Sequence, residues 1–365
     1  MKLVLSQEEI NLLLDLASSV TASPSKEPEL FIHQINNMRV FIPSRIKQIL
    51  QEFSYKVNEY NYYNDGFRNN DPQFDDGYLV ISTIPIQEEL DVKNVQTPPD
   101  NKQHIGETTV IAKIQAFFNQ LLGQMIAYEA EGDGCLFQDM VPNKSLSKTQ
   151  TSLGSTVELE IHTEQAFSKW KPDFLSLACL RSDPEAKTYV LHKHDIMKNL
   201  TEYQRGLLYK PLWTVGIDMS FKMNKNIEFI ETDMRGPMPI IHKDGVDKDP
   251  IRAEWLEKGY YSCDQINDKL VFDQDLMNGV TEEAERLKKE IIQIYYDHRK
   301  SYVLQQGDIL ILDNRRVVHG RSSYHPKFDG KDRFIVRSFV LKDFSYYNSL
   351  HTRKNNRRMV EAKYS

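Results

Sequence analysis

Cysteine is scarce: the 365 residues contain three, Cys135, Cys179 and Cys263, far apart and odd in number. Such spacing excludes a disulfide framework or a cysteine-paired zinc site, and predicts reduced thiols that mostly pack. No run approaches the ~20 consecutive apolar residues that a membrane helix needs. The N-terminus MKLVLSQEEI also lacks the apolar stretch and small-residue cleavage site of a secretory leader. The expectation is a cytoplasmic chain with no membrane partner. Positive charge is not in excess either, since 46 Lys and Arg stand against 52 Asp and Glu, a net charge of −6. That balance opposes a nucleic-acid partner unless a local patch overrides it. The one basic cluster, Arg353, Lys354, Arg357 and Arg358, is expected to be a solvated tail.

What is present suits a folded chain: 40% of the residues are hydrophobic and 27% charged, enough for a large core. Ser6 can cap a helix with Glu9 three positions on, and Ile10, Leu13, Leu14 and Ala17 follow the stripe of one buried face. A second helix is predicted from near Pro43, with Ile46, Ile49, Leu50 and Phe53 on its inner side. Residues 58–77 read as loop, 78–82 as a strand and 87–106 as another connection. A long amphipathic helix then carries Val110, Ile111, Ile114, Phe117, Phe118, Leu121 and Met125. From about residue 130 the texture changes to short β-rich runs at 157–161, 174–180, 188–191, 228–231, 308–312 and 334–341, interrupted by a helix at 281–296. That is the pattern of a β-sandwich or jelly roll. The stretch 241–270 mixes charge, glycine and proline and reads as an excursion of the kind that serves as a lid or binding loop.

Chemistry concentrates at Glu160-Ile161-His162-Thr163-Glu164. At a strand end an i, i+2 pair points one way, so His162 and Glu164 can offer a nitrogen and an oxygen to one metal. A second histidine would complete the 2-His-1-carboxylate set that leaves open positions on Fe(II). His319 is the candidate, in GDILILDNRRVVHGRS, expected at a strand end after a short loop. His-x-Glu alone also fits a surface pair. Arg333, 14 positions after His319 and opening the apolar run 334–341, adds a guanidinium that can grip a carboxylate near the metal. Arg337 lies four residues on and shares a face with Arg333 in a regular strand. Asp273 and Asp275, if extended, project to one side and can receive a cation; a turn before the helix at 281 is the plainer account. His192 and His194 repeat the i, i+2 spacing but have no third ligand, and read as surface or structural.

Taken together, GQMIAYEAEGDGCLFQDMVP, QTSLGSTVELEIHTEQAF, KPDFLSLACLRSDP, VFDQDLM and DNRRVVHGRSSYHPKFDGKDRFIVRSFV resemble the clavaminate synthase-like Fe(II)/2-oxoglutarate oxygenases, in particular bacterial hydroxylases of free lysine and arginine. The resemblance runs from about residue 110 to 345. It implies a mainly β fold with flanking helices: a double-stranded β-helix (jelly roll, cupin-like) core with an inserted lid segment. One oxygenase domain would then span 1–365, with a helical and irregular part at 1–130, the core at 131–345 and a tail at 346–365. Iron is implied on His162, Glu164 and His319, and 2-oxoglutarate on Arg333. A substrate α-carboxylate is implied near Arg337 and a side-chain cation at Asp273 and Asp275. Ser155, for orienting the substrate, and Thr188, for a co-substrate carboxylate, are weaker transfers, and an ordinary strand threonine also accounts for Thr188.

Glu164 stands where related halogenases carry a small residue, so hydroxylation is expected. The length between Gly236 and Phe272 departs from the family pattern. The implied partners are a free amino acid, 2-oxoglutarate and O2. L-Lysine, at carbon 3, is the first substrate expected, L-arginine the second. A non-enzymatic cupin-like amino-acid-binding protein is the reading from another class.

Overall fold

Helix α1 (Gln7–Ser18) starts where the capping signal places it. Ser6 Oγ accepts the Glu9 N–H at 3.2 Å, and Glu9 Oε2 accepts the Ser6 N–H at 2.8 Å, which satisfies two donors the helix start leaves open. Helix α2 (Pro28–Met38), absent from the sequence reading, buries Phe31, Ile32 and Ile35. Helix α3 (Ser44–Tyr55) follows as predicted, and its Arg45 closes on Glu9 at 2.7 Å. Helix α4 (Val110–Leu122) ends before Met125. Its C-cap is Gly123, where only glycine fits because a Cβ would meet the Leu341 carbonyl at 2.3 Å.

This computed structural model describes residues 1–55, 76–85, 105–168, 171–218, 221, 234–242, 268–342 and 358–359. The expectations for 58–75, 87–104, 228–231, most of 241–270, most of the tail and Cys263 lie outside the described residues. The remaining helices are α5 (Lys193–Lys198), α6 (Glu202–Leu208) and α7 (Glu282–His298). Strands, in chain order, are β1 (Lys2–Val4), β2 (Tyr78–Ser82), β3 (Gln124–Tyr128), β4 (Gln138–Met140), β5 (Leu159–His162), β6 (Phe174–Arg181), β7 (Thr188–His192) and β8 (Trp213–Gly216). There follow β9 (Met234–Met238), β10 (Ile241–His242), β11 (Lys269–Leu270), β12 (Met277–Gly279) and β13 (Lys300–Tyr302), then β14 (Ile309–Asp313), β15 (Val317–Arg321), β16 (Phe334–Leu341) and β17 (Arg358–Met359).

Two facing sheets make a jelly roll. The larger runs β1-β2-β14-β6-β16-β3-β17, with β4 also on β16, and the smaller runs β13-β7-β15-β5. Strand β2 is the one expected at 78–82, whereas β1 and β3 come from the part expected to be helical and irregular. Strand alternation sorts the side chains of the larger sheet into two layers. Ile309, Ile311, Phe334, Val336 and Val340 face the N-terminal helices, while Leu310, Leu312, Ile335 and Phe339 face the smaller sheet and meet Ile161, Val190 and Val317. Burial on both faces explains why β14 and β16 read as nearly continuous apolar runs.

The helical side is not wholly apolar. Gln115 Nε2 donates to Ser176 Oγ at 3.0 Å and to the Val336 carbonyl at 3.2 Å, and Asn119 Nδ2 donates to Ser338 Oγ at 2.7 Å. The excursion from the sheets leaves and returns through one ladder, with Ile241 opposite Leu270 and His242 opposite Lys269. Within the tail expected to be solvated, β17 pairs in parallel with Ala127 and Tyr128.

Candidate active site

Neighbouring strands of the smaller sheet bring the two histidines together: β5 and β15 are antiparallel, with His162 opposite His319. His319 lies in the middle of β15, not at a strand end. The predicted loop is shorter than expected because Asp313 folds it back, accepting the Arg315 N–H at 3.1 Å and bonds from the Arg315 and Arg316 side chains. Glu164 sits just beyond β5. Its N–H donates to Asn314 Oδ1 at 2.8 Å, and Asn314 Nδ2 donates back to the Glu164 carbonyl at 3.1 Å and to that of Pro172 at 2.8 Å. Asn314 therefore fixes the backbone from which Glu164 projects, a part the sequence reading did not assign.

Glu164 Oε2 lies 3.4 Å from His319 Nε2 and 4.0 Å from His162 Nε2, and the three ligand atoms fall within 4.8 Å of one another. His162 Nδ1 donates to the Glu160 carbonyl at 2.8 Å, which leaves Nε2 with a free lone pair towards the other two groups. Burial and the neighbouring His319 lower the His162 pKa and favour the neutral ring that a metal requires. Burial alone would raise the Glu164 pKa, but Arg337, with help from the two histidines, holds it at about 2, so the carboxylate stays ionised. Donor set, spacing and protonation all fit a divalent metal bound on one face with positions left open.

One cavity collects the three ligands with Thr188, Asp273, Asp275, Arg333 and Arg337. Ser155 is not in its wall. It is buried with its carbonyl accepting the Tyr324 N–H at 2.8 Å, and its Oγ has no partner among the described residues. Asp273 and Asp275 reach the cavity from a turn, not from an extended run. Asp273 makes an isolated bridge to His162, and its Oδ1 accepts the Leu276 N–H at 2.6 Å. Burial pushes the Asp273 carboxyl up to about 7 despite nearby His162.

Arg337 is already engaged. Nη2 donates to Glu131 Oε1 at 2.6 Å, Nη1 to Glu164 Oε1 at 2.9 Å and Nε to Gln138 Oε1 at 3.1 Å. The guanidinium expected to await a substrate carboxylate thus has two protein carboxylates on it. The other histidine pair is structural: His192 Nδ1 accepts the His194 N–H at 3.0 Å and opens α5.

Glu131, Glu160, Asp218 and Arg321 also line the cavity and escaped the sequence reading. Two of them carried a usable signal, since Glu160 precedes His162 by two and Arg321 follows His319 by two, on the same strand faces. Glu160 neighbours Asp275, and Arg321 neighbours Arg333. Burial and the field of Asp275 raise the Glu160 pKa, while burial and the field of Arg333 lower that of Arg321 to about 10.

A family model for the taurine catabolism dioxygenases TauD and TfdA matches residues 101–339. The L-lysine 3-hydroxylase of Catenulispora acidiphila is 39% identical over 363 residues, 100% of this chain and 89% of that protein. An asparagine oxygenase in complex with Fe(II), (2S,3S)-3-hydroxyasparagine and succinate superposes with a TM-score of 0.79 at 22% identity, covering 99% of each chain. The non-heme iron oxygenase OrfP, in complex with Fe, succinate and (3S)-hydroxy-L-Arg, gives 0.76 at 20% identity over 98% of this chain and 99% of that one. At such identities the two likenesses establish the shared fold.

Proposed function

We propose, from the premise that the chain belongs to the taurine catabolism dioxygenase (TauD, TfdA) family, that it is an Fe(II)/2-oxoglutarate-dependent hydroxylase of a free basic L-amino acid. L-Lysine is the first substrate and carbon 3 the position, by the 39% identity to a lysine 3-hydroxylase. The observation that carries the reading is the triad itself: two imidazole nitrogens and a carboxylate oxygen in one cluster, at the wall of a cavity that also holds arginine and aspartate.

His162, Glu164 and His319 would hold the iron, whose redox chemistry couples oxidation of 2-oxoglutarate to succinate and CO2 with insertion of one oxygen atom into a C–H bond. The rest of the work belongs to the chain. Arg333 offers a planar fork for the distal carboxylate of 2-oxoglutarate, and Thr188, in the same wall, a hydroxyl. Asp273 and Asp275 face the substrate's side-chain cation. Arg337, with Glu131 on it, presents a protein ion pair that matches an amino-acid head group: the guanidinium for the α-carboxylate, Glu131 for the α-ammonium. Ser155 lies outside the wall, where its carbonyl accepts the Tyr324 N–H, and would act on the substrate only indirectly. Binding at both ends of a zwitterion places one C–H bond at the metal, which is the protein's contribution to rate and to position.

L-Arginine is the second reading, because two aspartates also suit a guanidinium. A binding protein without turnover could hold the same metal but would release no succinate. Fe(II) and a metabolite co-substrate suit a cytoplasmic location in a single oxygenase domain, which cell fractionation and limited proteolysis check.

The deciding experiment incubates the iron-loaded protein with 2-oxoglutarate, O2 and lysine, arginine, ornithine, citrulline or norleucine. The expected result is succinate formed only with a basic amino acid, and a lysine product heavier by one oxygen that NMR places at carbon 3. Preference for norleucine overturns the acidic pocket, and no succinate with any of them overturns the enzyme.

A further inference from the structure

Two guanidinium groups, not one, stand in the cavity wall without a counter-ion among the described residues. Arg321 is 5% exposed and Arg333 7%. The third arginine of the wall, Arg337, holds Glu131 and Glu164. Arg321 has none. Its Nη1 donates to the Ser152 carbonyl at 3.3 Å and its Nε to that of Ser322 at 3.2 Å, while Nη2 is shielded from solvent with no partner among the described residues. Both free guanidinia lie against one buried ring, with Arg321 Cζ 5.1 Å and Arg333 Cζ 6.0 Å from the centre of Tyr324.

An aromatic face attracts a cation only weakly, and two like charges side by side in a desolvated wall repel. Leaving a charge buried and unpaired is costly for folding, so this pairing makes sense only if an anion completes it. The anion enters through the cavity, because the described residues supply none. A carboxylate has about four lone-pair sites on two oxygens, room for donors from two guanidinia at once.

We propose that Arg321 is a second binding residue for the co-substrate, its Nη2 donating to the distal carboxylate of 2-oxoglutarate that Arg333 also grips. The assignment rests on the function proposed above. Strand geometry places Arg321 for it: two residues beyond His319, on the cavity side of β15 and opposite Thr188 on β7. One strand thereby carries both a metal ligand and a co-substrate anchor, which sets the distance between them by backbone alone.

The test is an anaerobic calorimetric titration of the Mn(II)-loaded protein with 2-oxoglutarate and with 2-oxobutyrate, which keeps the keto acid and lacks the distal carboxylate. Losing a charge-assisted hydrogen bond predicts that Arg321→Met weakens 2-oxoglutarate about tenfold to a hundredfold, with 2-oxobutyrate unchanged. Arg321→Lys, which keeps the charge but loses the fork, should give a smaller loss of the same kind and serves if the methionine variant does not fold. Without co-substrate, Arg321→Met should melt at or above the wild-type temperature, since an unpaired charge has been removed. Equal weakening of both acids, no weakening of either, or a lowered melting temperature with unchanged binding overturns the proposal and leaves Arg321 as a brace for Ser152. Arg333→Met is the control. If the wild type itself fails to bind 2-oxoglutarate, the proposed function falls and not merely this residue's part in it.

Discussion

Arg337 Nη1 donates to Glu164 Oε1 at 2.9 Å, while the other oxygen of that carboxylate stands 3.4 Å from His319 Nε2. One oxygen is thus occupied by the protein and the other is turned towards the imidazoles, which prepares Glu164 to bind a metal through a single atom. Arg337→Gln removes the cation from between two buried carboxylates. Breaking such a pair costs about 3–5 kcal/mol. Urea unfolding should register a loss of that size, and titration of the variant with Fe(II) should show weaker binding. Unchanged iron affinity in a variant that still folds would detach Arg337 from the metal site.

His162→Ala and His319→Ala should each abolish 2-oxoglutarate turnover in protein stripped with a chelator and resupplied with iron, and bound iron should fall with it. Neither ring carries the core, so circular dichroism should stay native. Wild-type turnover in either variant reassigns the triad.

Asp273→Asn and Asp275→Asn test the acidic end of the cavity. Each loses a charge-assisted contact with the substrate cation, so kcat/KM for lysine should fall about tenfold to a hundredfold. Decay of 2-oxoglutarate without substrate should change far less, because that reaction does not use the cation site. A parallel loss in both would place the aspartates in support of the metal instead.

Stability should weaken in mild acid through His192. Burial, reinforced by Arg316 and Lys193, holds its folded pKa well below 6.5, and its Nδ1 must stay unprotonated to accept the His194 N–H. The unfolded chain takes up this proton as pH falls through 6.5 while the folded chain refuses it. Its contribution is therefore intact above that pH and declines below it, by up to about 1.4 kcal/mol per pH unit. His192→Asn keeps an acceptor for the cap and has no proton to gain. Its melting temperature should fall less than that of the wild type between about pH 7 and pH 5; an identical slope would show that other groups set the acid limit.

Much of the frame is legible in the residues. The run 334–341 is bounded correctly because burial on both faces makes it apolar throughout, and Ser6 with Glu9 marks the start of α1 by a local exchange of hydrogen bonds. Helix α2 is missed because its buried residues, Phe31, Ile32 and Ile35, cover little more than one turn amid His33, Gln34, Asn36 and Asn37. Strand β15 is hidden for a different reason: its cavity-facing positions are His319 and Arg321, so polar side chains replace the apolar alternation that would reveal it. The cavity's acid–base pairing lies further out of reach. Glu131 meets Arg337 across 206 positions from a glycine-rich turn, and no spacing within either segment points to the other.

The amide side chains of α4 act on β16 as an index pin acts on a shaft. Gln115 holds the Val336 carbonyl and Asn119 holds Ser338, the residues on either side of Arg337. Purely apolar layers would tolerate a slip of β16 along its neighbours, and a slip of one residue would turn Arg337 out of the cavity and into the helices. Two amides that fit only one phase of the pleat remove that freedom. The charge that orients Glu164 is thereby kept in register from the opposite side of the sheet, by residues that never see the cavity.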